Sequence, residues 1–428
     1  MRKLNIAIIG LGNIGCYLFK YLQENKEILT RKNNCSPIIK YVSAKNRKKK
    51  RIIKIKKKQW LNNYLDATKY KDIDLIVELI GGAEGPAKKL VFNALNNKKH
   101  VVTANKALIA KYGDQLAKIA EKNKVNLEFE ASVCGGVPII RSLKESLIAN
   151  KISKIYGIFN GTSNYILSSM DKQKKSFNDV LSNAKKLGYA ESNPSADLNG
   201  DDVSSKLKIL SSLCFSSFLN NNIYVEGIKN IDRVDIDNAN KLGYKIKLLG
   251  FAELLDNKIY QRVHPTLIKK ESYVASIDGV LNAVIVDGKP VGQSTIQGEG
   301  AGPAATTSAL VSDISSISRG NIKFPFSLSS KERKKLRFTD IEERFFSAYL
   351  RFEVLDKPGI LSNITRIFSK HKVSIKRLVQ NPDRNKKSSS IIIITHESKD
   401  KFLKKVLKEV SRKKYIKNNS KLIRIDNS

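Results

Sequence analysis

The chain has 428 residues, too many for one ordinary domain and enough for two or three with real cores. No apolar run reaches the ~18–20 residues that cross a bilayer, and Cys16, Cys35, Cys134 and Cys214 lack the CxxC or paired spacing of a zinc site or disulfide framework. The net charge of +38 comes from 78 Lys and Arg spread along the whole chain without interleaved aromatics, which points to loose polyanion binding at low salt and away from a specific nucleic-acid partner.

Residues 4–10 read as an apolar strand running into Gly10-Leu11-Gly12-Asn13-Ile14-Gly15 and a helix to about Asn25. The apolar stretch is too short for a signal peptide, and a cytoplasmic location with no membrane partner is expected. A second strand spans Ile38 to Ala44. Asp74 to Ile80, a helix near 85–97, strand His100 to Thr103, a helix near 105–123 and strand Asn126 to Glu130 follow. This alternation predicts a doubly wound parallel sheet of Rossmann type. Gly10, Gly12 and Gly15 allow a tight turn and a close pyrophosphate, and Asn13 and Ile14 open the helix whose N-terminus takes the phosphates.

The second strand ends in Ser43-Ala44-Lys45-Asn46-Arg47, with no acid for ribose hydroxyls. Lys45 and Arg47 suit a 2′-phosphate, so NADP(H) is expected over NAD(H). From Lys48 onward the stretch reads as a solvated basic loop. Lys106, after Thr103-Ala104-Asn105, falls at the C-terminal edge of the sheet, where ligands gather. Glu130 to Pro138 is a glycine-rich loop. Its main-chain oxygens with the Glu130 carboxylate could hold a monovalent cation, but on the residues alone the preferred reading is a loop that lets the chain leave the sheet.

From about 150 to 320 the pattern is α+β with one sheet. Strand Lys154 to Phe159 leads into Asn160-Gly161-Thr162, helices run to about 219, strands lie between 244 and 297, and a helix near 303–319 closes the unit. Gly188-Tyr189-Ala190-Glu191 through Lys206 is the strongest internal signal. Asp202 and Lys206 are four apart on one helix face, with Glu191 and Asp197 upstream. Carboxylates suit a substrate amino group, and a lysine suits a carbonyl or hydroxyl. Burial lowers a lysine pKa and nearby carboxylates raise it. Ser329 to Glu343 reads as a basic linker. Phe345 to about Ile425 reads as βαββαβ, a ferredoxin-like unit, with a polar loop over 381–389.

Taken in order, Gly10 to Gly15, Val77-Glu78-Leu79-Ile80-Gly81-Gly82, Val102 to Lys106, Gly157 to Tyr165, Gly188 to Lys206 and Gly298-Glu299-Gly300-Ala301-Gly302 resemble a monofunctional homoserine dehydrogenase with a C-terminal ACT domain. The resemblance covers nearly the whole chain. It implies an NADP-binding Rossmann domain over 1–135, a catalytic and dimerisation domain over 136–325, a linker over 326–346 and an ACT domain over 347–428. It implies NAD(P)H-dependent interconversion of L-aspartate 4-semialdehyde and L-homoserine, on the way to threonine, methionine and isoleucine.

By the same resemblance, Lys206 is the acid/base and Lys106 places cofactor and substrate. Glu191 and Asp202 bind the substrate beside Asp197, while Gly161, Thr162 and Tyr189 shape its pocket. Gly188, Gly302 and Thr103 join the cofactor contacts. Glu130, Val133, Gly135 and Val137 match a sodium site, three of them through main-chain oxygens. A homodimer or homotetramer is implied, with L-threonine as a natural effector at Asp356-Lys357-Pro358-Gly359. Two rivals are a semialdehyde dehydrogenase with Cys134 as nucleophile, and a regulator built on a retired dehydrogenase.

Overall fold

The computed structural model describes residues 2–383, 388–418 and 420–426. The first unit is built from β1 (Arg2–Ile9), α1 (Asn13–Glu24), α2 (Lys26–Asn33), β2 (Cys35–Ser43), β3 (Leu75–Glu78), α3 (Pro86–Asn96), β4 (His100–Thr103), α4 (Lys106–Asn123) and β5 (Leu127–Glu128). Its five strands pair in the order β2-β1-β3-β4-β5, all parallel. Ile6 to Ile9, Leu75 to Val77 and Val101 to Val102 are almost wholly buried, because helices cover both faces of a parallel sheet. The expected alternation holds. Helix α2 was not foreseen, and it lengthens β2 at its start. It has no apolar stripe. Glu27 in its first turn and Arg31 and Lys32 in its last complement the helix dipole instead.

The chain then passes through α5 (Ile139–Arg141), β6 (Lys151–Ile158), α6 (Gly161–Gln173), α7 (Phe177–Lys186), α8 (Ser195–Asn199) and α9 (Asp201–Cys214). Next come β7 (Tyr224–Val225), α10 (Arg233–Lys241), β8 (Tyr244–Leu255), β9 (Lys258–Lys269), α11 (Tyr273–Ser276), β10 (Leu281–Lys289), β11 (Gly292–Glu299) and α12 (Pro303–Ser318). Helix α12 returns to the first sheet. Leu310, Ile314 and Ile317 share a core with Leu18, Phe19 and Leu22 of α1, and Asn33 Nδ2 donates to Ser315 Oγ at 3.1 Å.

The C-terminal unit contains β12 (Arg337–Phe338), β13 (Phe345–Leu355), α13 (Ile360–Lys370), β14 (Ile375–Asp383), β15 (Ser388–Thr395), β16 (Ser398–Lys399), α14 (Asp400–Ser411) and β17 (Lys421–Asp426). The βαββαβ order is present. The polar loop expected over 381–389 is shorter, since β14 and β15 run into it, and 384–387 lie outside the described residues.

The second sheet runs β11-β10-β6-β8-β9-β17-β13-β15-β14. Strand β17 lies parallel to β9, with Arg424 opposite Thr266, so the C-terminal sheet extends the middle one. Across this seam Arg351 of β13 binds Asp235 of α10 through Nε at 2.6 Å, and Tyr349 donates to the same carboxylate at 3.0 Å. The basic stretch after α12 is tied down rather than loose. Arg333 is 4% exposed, donates to Asp114 at 2.7 Å and to the Ser217 carbonyl, and β12 pairs with β9.

Candidate active site

Gly200, with a positive φ of 89°, ends α8 and is the residue from which α9 starts at Asp201. Asp202 and Lys206 therefore lie one turn apart on the face that points into the protein. Lys206 Nζ is 2.8 Å from Asp202 Oδ2 and donates to the Phe159 carbonyl at 2.7 Å. The other Asp202 oxygen, Oδ1, is 2.6 Å from Lys106 Nζ, which arrives from the first turn of α4 in the nucleotide unit. One buried carboxylate thus clasps a lysine from each of two helices, α4 and α9.

Burial opposes charge on Lys206. The Asp202 carboxylate outweighs it, with Cys134 and Asp197 adding to the effect, and the lysine pKa lies above its ordinary value. Burial likewise pushes Asp202 up, but the two lysines hold it well below the usual carboxylate range. Asp197 goes the other way. Burial raises it more than the Asn160 hydrogen bond lowers it, and the neighbouring Asp202 raises it further. Lys106 is 43% exposed at its side chain, so the pair opens to solvent on the nucleotide side.

Asn160 completes the set, though the sequence pattern gives it no role. It stands in the quoted Asn160-Gly161-Thr162, of which only the last two residues were assigned roles. Its Nδ2 donates to Asp197 Oδ1 at 2.7 Å and to Asp202 Oδ2 at 2.8 Å, and its Oδ1 caps α6 by accepting from Ser163 N. No local pattern signals it, because Asp197 and Asp202 lie 37 and 42 residues further along the chain. Gly161 packs where a side chain would meet the Val280 carbonyl. Thr162 donates to the Tyr189 carbonyl at 2.7 Å, and Tyr189 lies against Tyr165 with ring centroids 5.0 Å apart. Glu191 is exposed and shares no hydrogen bond or ion pair with this set among the described residues.

On the nucleotide side, a side chain at Gly15 would collide with the Gly10 carbonyl, and one at Gly10 with Leu79. Gly12 caps α1 with open space around it, and no acid occupies the first turn. Asn13 and Ile14 are the first helical residues there. This turn fits a dinucleotide pyrophosphate. Thr103 is wholly buried and donates its hydroxyl to Glu78 Oε2 at 2.6 Å. The other Glu78 oxygen accepts from Ile80 and Gly81 amides, and Asn105 Nδ2 reaches the Gly82 carbonyl. The Thr103 side chain therefore braces the 78–82 loop. Gly188 and Gly302 both have positive φ and open space.

Lys45 and Arg47 are exposed after β2. Arg47 lies 5.1 Å from the Trp60 ring centroid, and Arg51 lies 5.5 Å from the same ring. Arg51 also donates to the Leu11 carbonyl inside the glycine turn at 3.2 Å. Only Lys45 and Arg47 were singled out from the sequence. Arg51 is held in place as well, by a tryptophan nine residues on that carries no periodic signal.

In the 130–137 loop, Glu130 directs its carboxylate to the amides of Ile140 and Arg141 at 2.9 and 2.6 Å. Burial nevertheless pushes it up to about 7. The Val137 carbonyl accepts from Ile139 N. Cys134 (φ 55°) and Gly135 (φ 47°) reverse the chain beside Val133. Cys134 is buried and its thiol is pushed up to about 11, which is far from an activated nucleophile. Among the described residues no helix is long and apolar enough to cross a membrane.

Three families of sequence match the chain. The homoserine dehydrogenase model matches residues 138–315, the homoserine dehydrogenase NAD-binding domain matches 10–130, and the ACT domain matches 348–413. A homoserine dehydrogenase of Neisseria gonorrhoeae is 38% identical over 95% of both chains. One from Helicobacter pylori is 38% identical over the full length of both. The crystal structure of a homoserine dehydrogenase from Thiobacillus denitrificans superposes with a TM-score of 0.92 at 36% identity, covering 100% of this chain and 99% of that one. The chain belongs to the homoserine dehydrogenase family: it is an NAD(P)-dependent oxidoreductase with a nucleotide-binding domain, a catalytic domain and a C-terminal ACT domain.

Proposed function

We propose that Lys206 is the acid/base in the interconversion of L-aspartate 4-semialdehyde and L-homoserine, and that Asp202 and Lys106 set its charge and aim. The nicotinamide, when bound, supplies or accepts the hydride. During reduction the carbonyl oxygen gains negative charge, and Lys206 Nζ gives it a proton. During oxidation Lys206 takes that proton from the homoserine hydroxyl. Lys106 adds a second positive charge near the same oxygen and helps seat the cofactor. The observation that carries this reading is the pair of lysines on one buried carboxylate.

Both Asp202 oxygens are engaged, so the substrate ammonium is assigned to Glu191 and Asp197, with Gly161, Thr162 and Tyr189 forming the wall. NADP(H) is favoured over NAD(H), supported by Lys45, by Arg47 and Arg51 around Trp60, and by the absence of an acid in residues 43–51. A sodium ion in the 130–137 loop would rest on main-chain oxygens of Val133, Gly135 and Val137, since the Glu130 carboxylate serves the start of α5. L-Threonine is assigned to the cavity of about 410 Å³ beside Asp356 to Leu361. The assembly is a homodimer or homotetramer.

The test is absorbance at the nicotinamide band with purified protein, L-homoserine, and NADP⁺ or NAD⁺ in parallel at alkaline pH. Faster reduction with NADP⁺ is expected. Faster reduction with NAD⁺ would keep the enzyme and discard the 2′-phosphate argument. No reduction with either cofactor, and no turnover of the semialdehyde, would overturn the reading.

A further inference from the structure

We infer that Asn160 is a positioning residue for the reaction, acting through Asp197 and Asp202 and touching neither substrate nor cofactor. This rests on the reading of Lys206 as the acid/base.

The orientation of the Asn160 amide is fixed by chemistry. On one side stands the Ser163 amide, which can only donate, 2.7 Å from Oδ1. On the other stand two carboxylate oxygens, which accept, at 2.7 and 2.8 Å from Nδ2. A flipped amide would set oxygen against both acids and nitrogen against the donor. The residue is 5% exposed, so these bonds face little competition from bulk water.

Three contacts meet at this position. The two Nδ2 protons separate two acids that would otherwise repel, and they fix the rotamer of Asp202 that faces Lys206. The residue before it, Phe159, lends its carbonyl to Lys206 Nζ at 2.7 Å, so the same turn of chain holds the lysine from the other side. The cap on α6 locks that turn to the helix, since Oδ1 satisfies an amide of its first turn. Asn160 thereby ties Asp197, Asp202, Lys206 and the start of α6 into one unit.

Asn160→Asp separates the cap from the positioning role. Aspartate caps a helix as well as asparagine does, but it cannot donate, and it adds a third negative charge beside Lys206. Asn160→Ser keeps a capping oxygen and removes the two-pronged donor. Both variants are to be assayed for homoserine oxidation across pH, for NADPH binding by fluorescence, and for thermal midpoint. The expected result is a kcat lowered by roughly tenfold or more in each, with NADPH binding retained. In Asn160→Asp the acidic limb of the oxidation profile, where Lys206 must lose its proton to act as base, also moves to higher pH.

Unchanged kcat and an unchanged pH profile in folded Asn160→Asp would reduce Asn160 to a helix cap and overturn the inference. Loss of the fold in both variants would overturn it too, by making Asn160 a folding residue. A wild-type protein inactive on homoserine would fail the Lys206 reading first, which is a separate and visible outcome.

Discussion

Lys206 Nζ lies 2.8 Å from Asp202 Oδ2, one helical turn earlier, with the two side chains 9% and 3% exposed. Neither would carry its charge comfortably alone at that depth. Together they give a lysine whose pKa is raised against burial. In Asp202→Asn the carboxylate is gone and burial acts on Lys206 unopposed, so its pKa falls. The alkaline limb of kcat/KM for semialdehyde reduction should then move to lower pH, because the protonated lysine is lost sooner. Full pH–rate profiles of parent and variant check this, and coincident limbs would contradict it.

Glu130 gives a pH prediction of opposite origin. Burial raises it from 4.5 to about 7, against the amides that favour its charge. The folded protein therefore binds this proton more tightly than the unfolded chain. Stability should fall as pH rises from about 4.5 to about 7 on this account. Glu130→Gln should remove that part of the slope. Thermal midpoints of both proteins, compared at about pH 5 and about pH 8, check the sign.

Around Trp60, Arg47→Ala and Arg51→Ala should each raise KM for NADP⁺ by roughly tenfold, as for loss of a charge-assisted hydrogen bond. KM for NAD⁺ should hardly change. Equal effects on both cofactors would assign these arginines to loop structure alone.

The seam between the middle and C-terminal sheets rests on a buried pair, Arg351 with Asp235, whose side chains are 6% and 0% exposed. Asp235→Ala leaves the guanidinium buried without its main partner. The expected loss is about 3–5 kcal/mol in denaturant unfolding.

The alternation of strands and helices was legible because parallel strands read as continuous apolar runs, as Ile6 to Ile9 and Val101 to Val102 do. The i, i+4 spacing of Asp202 and Lys206 was legible for a similar reason, since local spacing fixes a shared helix face. The meeting of Lys106 with Asp202 was not, because the two lie on helices α4 and α9, far apart in the chain, and only the fold joins them. Helix α2 lacked an apolar stripe. The parallel pairing of β17 with β9 has no local pattern at all, and it makes one continuous sheet from two units that read as separate. The cofactor role of Thr103 comes from the resemblance, and its buried bond to Glu78 adds a bracing role that no local pattern signals.

The role of Lys206 is tested most directly by single-turnover and steady-state kinetics of Lys206→Met with L-homoserine and NADP⁺, alongside NADPH binding by fluorescence. Turnover is expected to fall by ~10²–10⁴-fold, with NADPH binding retained and the fold intact by circular dichroism. Near-normal turnover of the folded variant would remove Lys206 from the acid/base role.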